Sequence, residues 1–177
     1  MKLVKALITA GLISISLASF SQKGGRKIYD WSLGCRAEVL GTSTDNDAIN
    51  LPSPIFGPAF KFLIDPQKSI EIAALSDFSS CGQVQGIFNF FNPFPDIPQS
   101  LRYYIGMGLH AGRWNKLIVP DPFRAGVDGQ LGVEFIPRNI PLAISIDWHP
   151  KMEIVTKSSS KLNILGFGLT IKYYHKH

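Results

Sequence analysis

Leu101-Arg102-Tyr103-Tyr104-Ile105-Gly106-Met107-Gly108-Leu109-His110-Ala111 decides the fold of this 177-residue chain. Leu101, Tyr103, Ile105, Met107 and Leu109 alternate with Arg102, Tyr104, Gly106, Gly108 and His110. Successive side chains of a strand point to opposite faces, so period two predicts a strand with one apolar and one polar face. A helix would need apolar residues three and four apart, and no such period competes over a comparable length.

The same alternation recurs on both sides of this segment. Upstream, the predicted strands are Trp31–Leu40, Pro58–Ile64, Ser69–Leu75 and Gly82–Phe91; downstream they are Gly126–Ile136, Leu142–His149 and Asn163–Tyr174. With Leu101–Ala111 the expectation is eight strands. Gly, Pro, Asn and Asp punctuate the gaps, as turns require. Connections 41–57, 76–81, 112–125 and 150–162 alternate with 65–68, 92–100 and 137–141, and the first set is mostly longer. Alternating long and short connections are what a membrane barrel shows.

The polar faces mix signs: Arg36, Lys61, Arg102 and Lys172 against Glu38, Glu71, Asp128, Glu134 and Asp147. These nine are expected to form an interior polar network, because charges in a narrow lumen must be paired. The apolar faces carry almost no charge, as contact with hydrocarbon demands. A lipocalin-like soluble barrel, with the faces reversed around an apolar ligand, is the alternative architecture. Aromatic residues near the strand ends, among them Trp31, Phe60, Phe88, Phe90, Phe91, Tyr103, Phe135, Trp148, Tyr173 and Tyr174, are expected at headgroup level. Gly34, Gly106, Gly108, Gly132 and Gly168 fall on the polar side, where they make room for long charged side chains.

Residues 1–21 read as a secretory signal peptide. Lys2 and Lys5 precede an apolar run from Ala6 to Leu17, and the small Ser19 and Ser21 sit at −3 and −1 of a cut before Gln22. Residues 22–177 then form one barrel domain, and loss of the two lysines takes the net charge from +5 to +3. Lys and Arg are scattered rather than striped, which argues against nucleic acid as a partner. Cys35 and Cys81 match no metal spacing and are expected to be unpaired.

The stretches Gly126-Val127-Asp128-Gly129-Gln130-Leu131-Gly132-Val133-Glu134-Phe135, Ile140-Pro141-Leu142-Ala143-Ile144-Ser145-Ile146-Asp147-Trp148-His149-Pro150 and Tyr104–Gly112 resemble the small outer-membrane β-barrel proteins of Gram-negative bacteria. Phe167-Gly168-Leu169-Thr170-Ile171-Lys172-Tyr173-Tyr174 resembles their C-terminal signal for the barrel-insertion machinery, although His175, Lys176 and His177 follow it. The resemblance implies an all-β, eight-stranded antiparallel up-and-down transmembrane barrel in the outer membrane; a monomer with outer-membrane lipids as partners is expected. It implies no activity.

No residue cluster identifies a reaction, a cofactor or a metal. Ser145, Asp147 and His149 lie two apart on one strand, about 6.6 Å between neighbours, too far for a hydrogen-bonded triad. A lipid-modifying outer-membrane enzyme using His149 or His110 is the first functional alternative, ahead of the soluble ligand-binding barrel. Gly106-x-Gly108 lacks the helix a phosphate site needs. Asp45, Asn46 and Asp47 lack calcium-loop spacing. Arg113, Trp114, Lys116 and Arg124, between the fifth and sixth strands, are expected to contact lipid phosphates or a partner.

Overall fold

The computed structural model describes residues 28–41, 54–78, 81–94, 100–114, 123–137, 139–155, 158–163 and 165–175. The proposed signal peptide, Asp45–Asp47 and Lys116 lie outside them. The described residues are strands and turns. The strands are β1 (Trp31–Gly41), β2 (Ile55–Asp65), β3 (Lys68–Ser76), β4 (Cys81–Pro93), β5 (Leu101–Trp114), β6 (Phe123–Phe135), β7 (Leu142–Trp148), β8 (Lys151–Val155), β9 (Ser158–Asn163) and β10 (Leu165–His175). Each of β1 to β6 pairs antiparallel with the next. β6 pairs β7, β7 pairs β10, and β10 returns to β1 from Trp31↔His175 to Gly41↔Leu165, which closes the sheet.

The ten segments make an eight-stranded up-and-down barrel, because β7 with β8 and β9 with β10 each form one interrupted strand. Pro150 causes the first interruption. It has no N–H for the ladder, yet its carbonyl accepts from Gly129 N–H at 2.9 Å and the register on β6 continues unbroken through Asp128↔Lys151. In the second, three steps from Trp148 to Lys151 face four from Phe167 to Asn163, so one extra residue bulges. The expected loop 150–162 is therefore mostly strand. Pro150 reads as a terminator in sequence, but neighbouring strands carry the pairing past it. β2, β5 and β6 also extend further toward the loops than their alternation predicts.

Both ends of the described chain, at Ile28 and His175, lie at one rim with the Asp65–Lys68 turn; this is called the terminal rim. There Asp65 accepts from the Gln67 N–H at 2.7 Å and pairs with Lys68 at 3.1 Å. The opposite rim, where β3 meets β4 and β5 meets β6, is the loop rim.

Alternation then sorts the side chains. The interior holds Arg36, Glu38, Lys61, Glu71, Arg102, Asp128, Glu134, Asp147 and Lys172, all nearly sealed from solvent. The exterior carries bare Leu33, Ile72, Leu109, Leu131, Ile146 and Ile171, with Leu131 48% and Ile146 62% exposed. This is the reverse of a lipocalin. Among strand residues with described side chains, the outward lysines and arginines are Lys68 and Arg113, each at a rim.

Two aromatics depart from the expected belt. Phe91 and Tyr174 face inward. Phe91 lies under the Arg102 guanidinium at 3.9 Å, and Tyr174 stacks on Tyr29 at 5.2 Å. Phe91 follows Phe90, and Tyr174 follows Tyr173, so each pair puts one ring on either side of the wall. Cys35 is exposed, Cys81 is buried, and both are free thiols.

Gly132 and Gly168 face the lumen where large groups crowd. A Cβ on Gly132 would lie 2.6 Å from Tyr104 Cζ and 2.7 Å from Asp147 Cβ. Gly86, on the outer face, has nothing within 4 Å of that position. Gly132→Val is therefore expected to destabilise the folded barrel by about 1–3 kcal/mol through overpacking, and Gly86→Val by much less. Urea unfolding of detergent-folded protein measures both; equal midpoints would contradict this assignment of faces.

Candidate functional site

Among the described residues, the lumen is where many polar side chains converge, and strand register puts them in three tiers. Nearest the terminal rim, Glu134 on β6 accepts from Lys61 on β2 at 2.7 Å and from Arg102 Nε on β5 at 2.7 Å. Arg102 also donates to the Tyr29 hydroxyl at 3.0 Å, and that hydroxyl reaches Glu134 at 3.3 Å. Tyr29 precedes β1. Its backbone neighbour Asp30 accepts from the Leu63 N–H at 2.8 Å, which folds the segment into the mouth of the barrel. Tyr29, Leu63, Ile136, Ala143 and Tyr174 pack together there as an apolar plug.

In the middle tier, Glu71 on β3 accepts from Lys172 on β10 at 2.6 Å and lies 3.3 Å from Lys61. Arg36 on β1 binds Asp147 on β7 in a two-pronged pair: Nη1 to Oδ2 at 2.8 Å and Nη2 to Oδ1 at 2.6 Å. The Arg fork matches a carboxylate in this way, with both donors in one plane. Arg36 also donates to Thr170 at 3.0 Å, and Tyr104 donates to Asp147 at 3.0 Å.

Toward the loop rim, Glu38 on β1 pairs with Lys151 on β8 and lies 3.2 Å from His149 Nδ1. His110 Nδ1 meets Asp128 Oδ1 at 2.6 Å, while His149 Nε2 stands 3.8 Å from the other oxygen of Asp128. Gln85 on β4 accepts from Lys151 at 3.2 Å. Arg124 pairs with Glu153 at 2.8 Å.

The nine residues expected inside thus all lie inside, and their partners span the lumen as well as adjacent strands. Sequence reasoning missed Tyr29, which lies ahead of the first alternating segment, and Lys151, assigned to a loop. It placed Tyr104, His110 and His149 on the polar face, with His149 or Asp147 as neighbours of His110, but did not foresee Asp128 between the two histidines. The only available signal for Lys151 was Lys151-Met152-Glu153, whose alternation resumes directly after Pro150.

Ser145, Asp147 and His149 are not a triad: Arg36 and Tyr104 hold Asp147, and Glu38 and Arg36 hold His149. His110 and Asp128 have the geometry of an imidazole oriented by a carboxylate, but both are buried, and no hydroxyl among the described residues hydrogen-bonds His110 Nε2. Nucleophilic catalysis needs that third group. Of the residues expected to meet lipid or a partner, Arg113 is exposed on the outer face of β5. Arg124 instead turns toward the lumen mouth and Glu153, because it has the inward parity of Asp128 and Gln130. Trp114 ends β5.

Neither a protein-family model nor a curated protein matches this sequence. Solved structures similar in fold include two outer-membrane proteins. One is the outer membrane protein OprG from Pseudomonas aeruginosa, at TM-score 0.50 and 11% identity over 86% of this chain and 99% of that chain. The other is the N-terminal β-barrel domain of Pseudomonas aeruginosa OprF, at TM-score 0.49 and 10% identity over 80% of this chain and 97% of that chain. The fold is that of small eight-stranded outer-membrane barrels.

Removing one member of a buried pair leaves the other charge without compensation, which costs about 3–5 kcal/mol. Arg36→Met and Asp147→Leu are each expected to show a loss of that order in urea unfolding, and the double variant is expected to lose less than the two added together. Strict additivity would show that the pair contributes no coupling.

Proposed function

We propose that this chain is an outer-membrane barrel protein of a Gram-negative bacterium, reached after signal-peptide removal and inserted through its C-terminal strand. Its lumen is filled rather than open, and it serves a structural or interaction role through the loop rim, without catalysis. The observation that carries this reading is the inversion of faces: ionised groups paired inside, bare aliphatic groups outside. In water the outer face would be a costly exposed apolar patch far beyond what monomeric soluble proteins tolerate. In a bilayer it is solvated by acyl chains, and the closed ladder leaves no strand edge to satisfy.

An eight-stranded barrel has an interior just wide enough for side chains. Here Arg36–Asp147, Lys61–Glu134 and Lys172–Glu71 cross that space at successive heights, with the Tyr29 plug beneath them. A large solute would have to break several buried ion pairs to pass. The role is thus assigned to the surfaces rather than the bore.

Two measurements test the reading. Purified protein in planar bilayers is expected to give no large, steady conductance; such a conductance would defeat the filled lumen. Ile146→Arg, at mid-wall on the outer face, is expected to destabilise the protein in lipid vesicles by about 2–4 kcal/mol. A neutral effect there would defeat the lipid-facing assignment.

A further inference from the structure

Phe78 is held where a phenylalanine rarely stays. Its φ is 59°, and among the described residues it is the one non-glycine residue with a positive φ. A bulky side chain in the left-handed region is strained, and such strain persists only where the surroundings impose it. Here they do. Ser76 Oγ accepts from the Phe78 N–H at 2.9 Å, the Ser76 hydroxyl donates to the Cys81 carbonyl at 2.7 Å, and the Cys81 N–H donates to Asp77 Oδ1 at 2.7 Å. The braced ring is 76% exposed at the loop rim. It packs on Phe56, itself half exposed on the outer face of β2, with ring centroids 4.9 Å apart. The pair forms a fixed aromatic knob. Phe60 and Phe135 reach the outer face by parity alone, so contact with lipid does not need this bracing.

A matching hole lies on another flank of the same wall. Ile72, Gly86, Leu109 and Val127 lie side by side, and above them, toward the loop rim, come Ala74, Val84, Ala111 and Ala125. Gly86 has no atom within 4 Å of where a Cβ would stand. Small residues at Gly86, Ala111 and Ala125, between taller Ile72, Val84, Leu109 and Val127, leave an apolar groove of about 790 Å³. Height decides whether knob and groove can meet, since copies in one membrane share its plane. Phe56 stands nine residues above the terminal-rim end of β2 at Asp65. Gly86 stands seven above the end of β4 at Pro93, and Ala111 and Ala125 stand ten above the ends of β5 and β6 at Leu101 and Phe135. Knob and groove are therefore level. β2 and β5 lie three strands apart in the eight-stranded wall, so one copy can offer its knob to one neighbour and its groove to another. Such a contact is heterologous, joining two different patches.

We infer that copies of this chain associate side by side in the membrane, the Phe56–Phe78 knob of one copy seated in the Gly86 groove of the next. Between apolar surfaces in lipid, association depends on van der Waals fit, and small residues permit the close approach. A ring already fixed loses little freedom on docking, whereas an acyl chain must be ordered to fill the same space. The inference rests on the membrane reading above, names a second copy as the partner, and departs from the monomer expected from sequence.

The test replaces Phe78 of the full protein by the photo-crosslinking residue p-benzoylphenylalanine, which keeps an aromatic ring there. These donor copies are mixed with unlabelled acceptor copies in phosphatidylcholine vesicles and irradiated. Peptide mapping of the two-copy adduct is expected to place the new bond on groove residues such as Gly86, Leu109 and Ala111. Gly86→Phe in the acceptor fills the groove and is expected to lower adduct yield about tenfold, the loss of one buried aromatic contact. Ala111→Leu, a milder filling with the same expected direction, stands as the test if that variant does not fold. The same label at Leu33, on the outer face of β1, measures random collision. Adducts outside the groove, a yield no greater than from Leu33, or a yield unchanged by groove filling overturns the inference. Heat-dependent gel mobility of the same samples separates the two levels. A heat-modifiable barrel without the adduct refutes only the contact, whereas a protein that never becomes heat-modifiable in vesicles refutes the membrane reading.

Discussion

The pairing of charge inside a closed cylinder is the constraint on which everything else in this structure depends. Once eight strands close on themselves, half of their side chains have nowhere to go but a lumen too narrow for bulk water. An isolated ionised group would be prohibitively costly there. The chain places arginine, lysine, aspartate and glutamate in that space, so nearly every position must be chosen together with another one. Arg36 shows how tightly. Its guanidinium is shared among Asp147, Glu38, Thr170 and His149, which come from three different strands. A one-residue slip of β1 against β10 would turn Arg36 outward and bring Cys35 in. Pairing inside thereby fixes register, and register fixes which aliphatic groups are outside.

Much of this was legible in the sequence. Within the segments where alternation was read, it assigns inward and outward faces correctly for the described residues, because side-chain direction in a strand depends on local parity alone. The inversion of faces was also legible, from mixed charge on one face and almost none on the other. Arg102 and Glu134 illustrate it: each was assigned inside by parity and sign, and they lie as cross-strand partners.

What the sequence left unread depends on distance or on backbone detail. Tyr29 has no alternation around it, and only the fold reveals that the segment before β1 turns into the lumen. Phe91 and Tyr174 were misassigned because aromatic enrichment near strand ends is a statistical tendency. Parity, which places each opposite its aromatic neighbour, was the better guide. Pro150 suppressed β8, since loss of one N–H reads locally as a stop, whereas the partner strand β6 tolerates it. The groove beside Leu109 was invisible for a different reason. It arises from Gly86, Ala111 and Ala125 on three strands, and adjacency across strands is set by register rather than by spacing along the chain.

Cys35 offers the most direct test of the central claim, since it lies on the outer face of β1 between Pro58 and Ile171. A nitroxide attached there, in a Cys81→Ser background reconstituted in phospholipid vesicles, reports its surroundings by collision with oxygen or with a water-soluble nickel chelate. High oxygen access with little nickel access is predicted, because the label should lie among acyl chains. The opposite ranking would place that face in water and contradict the account.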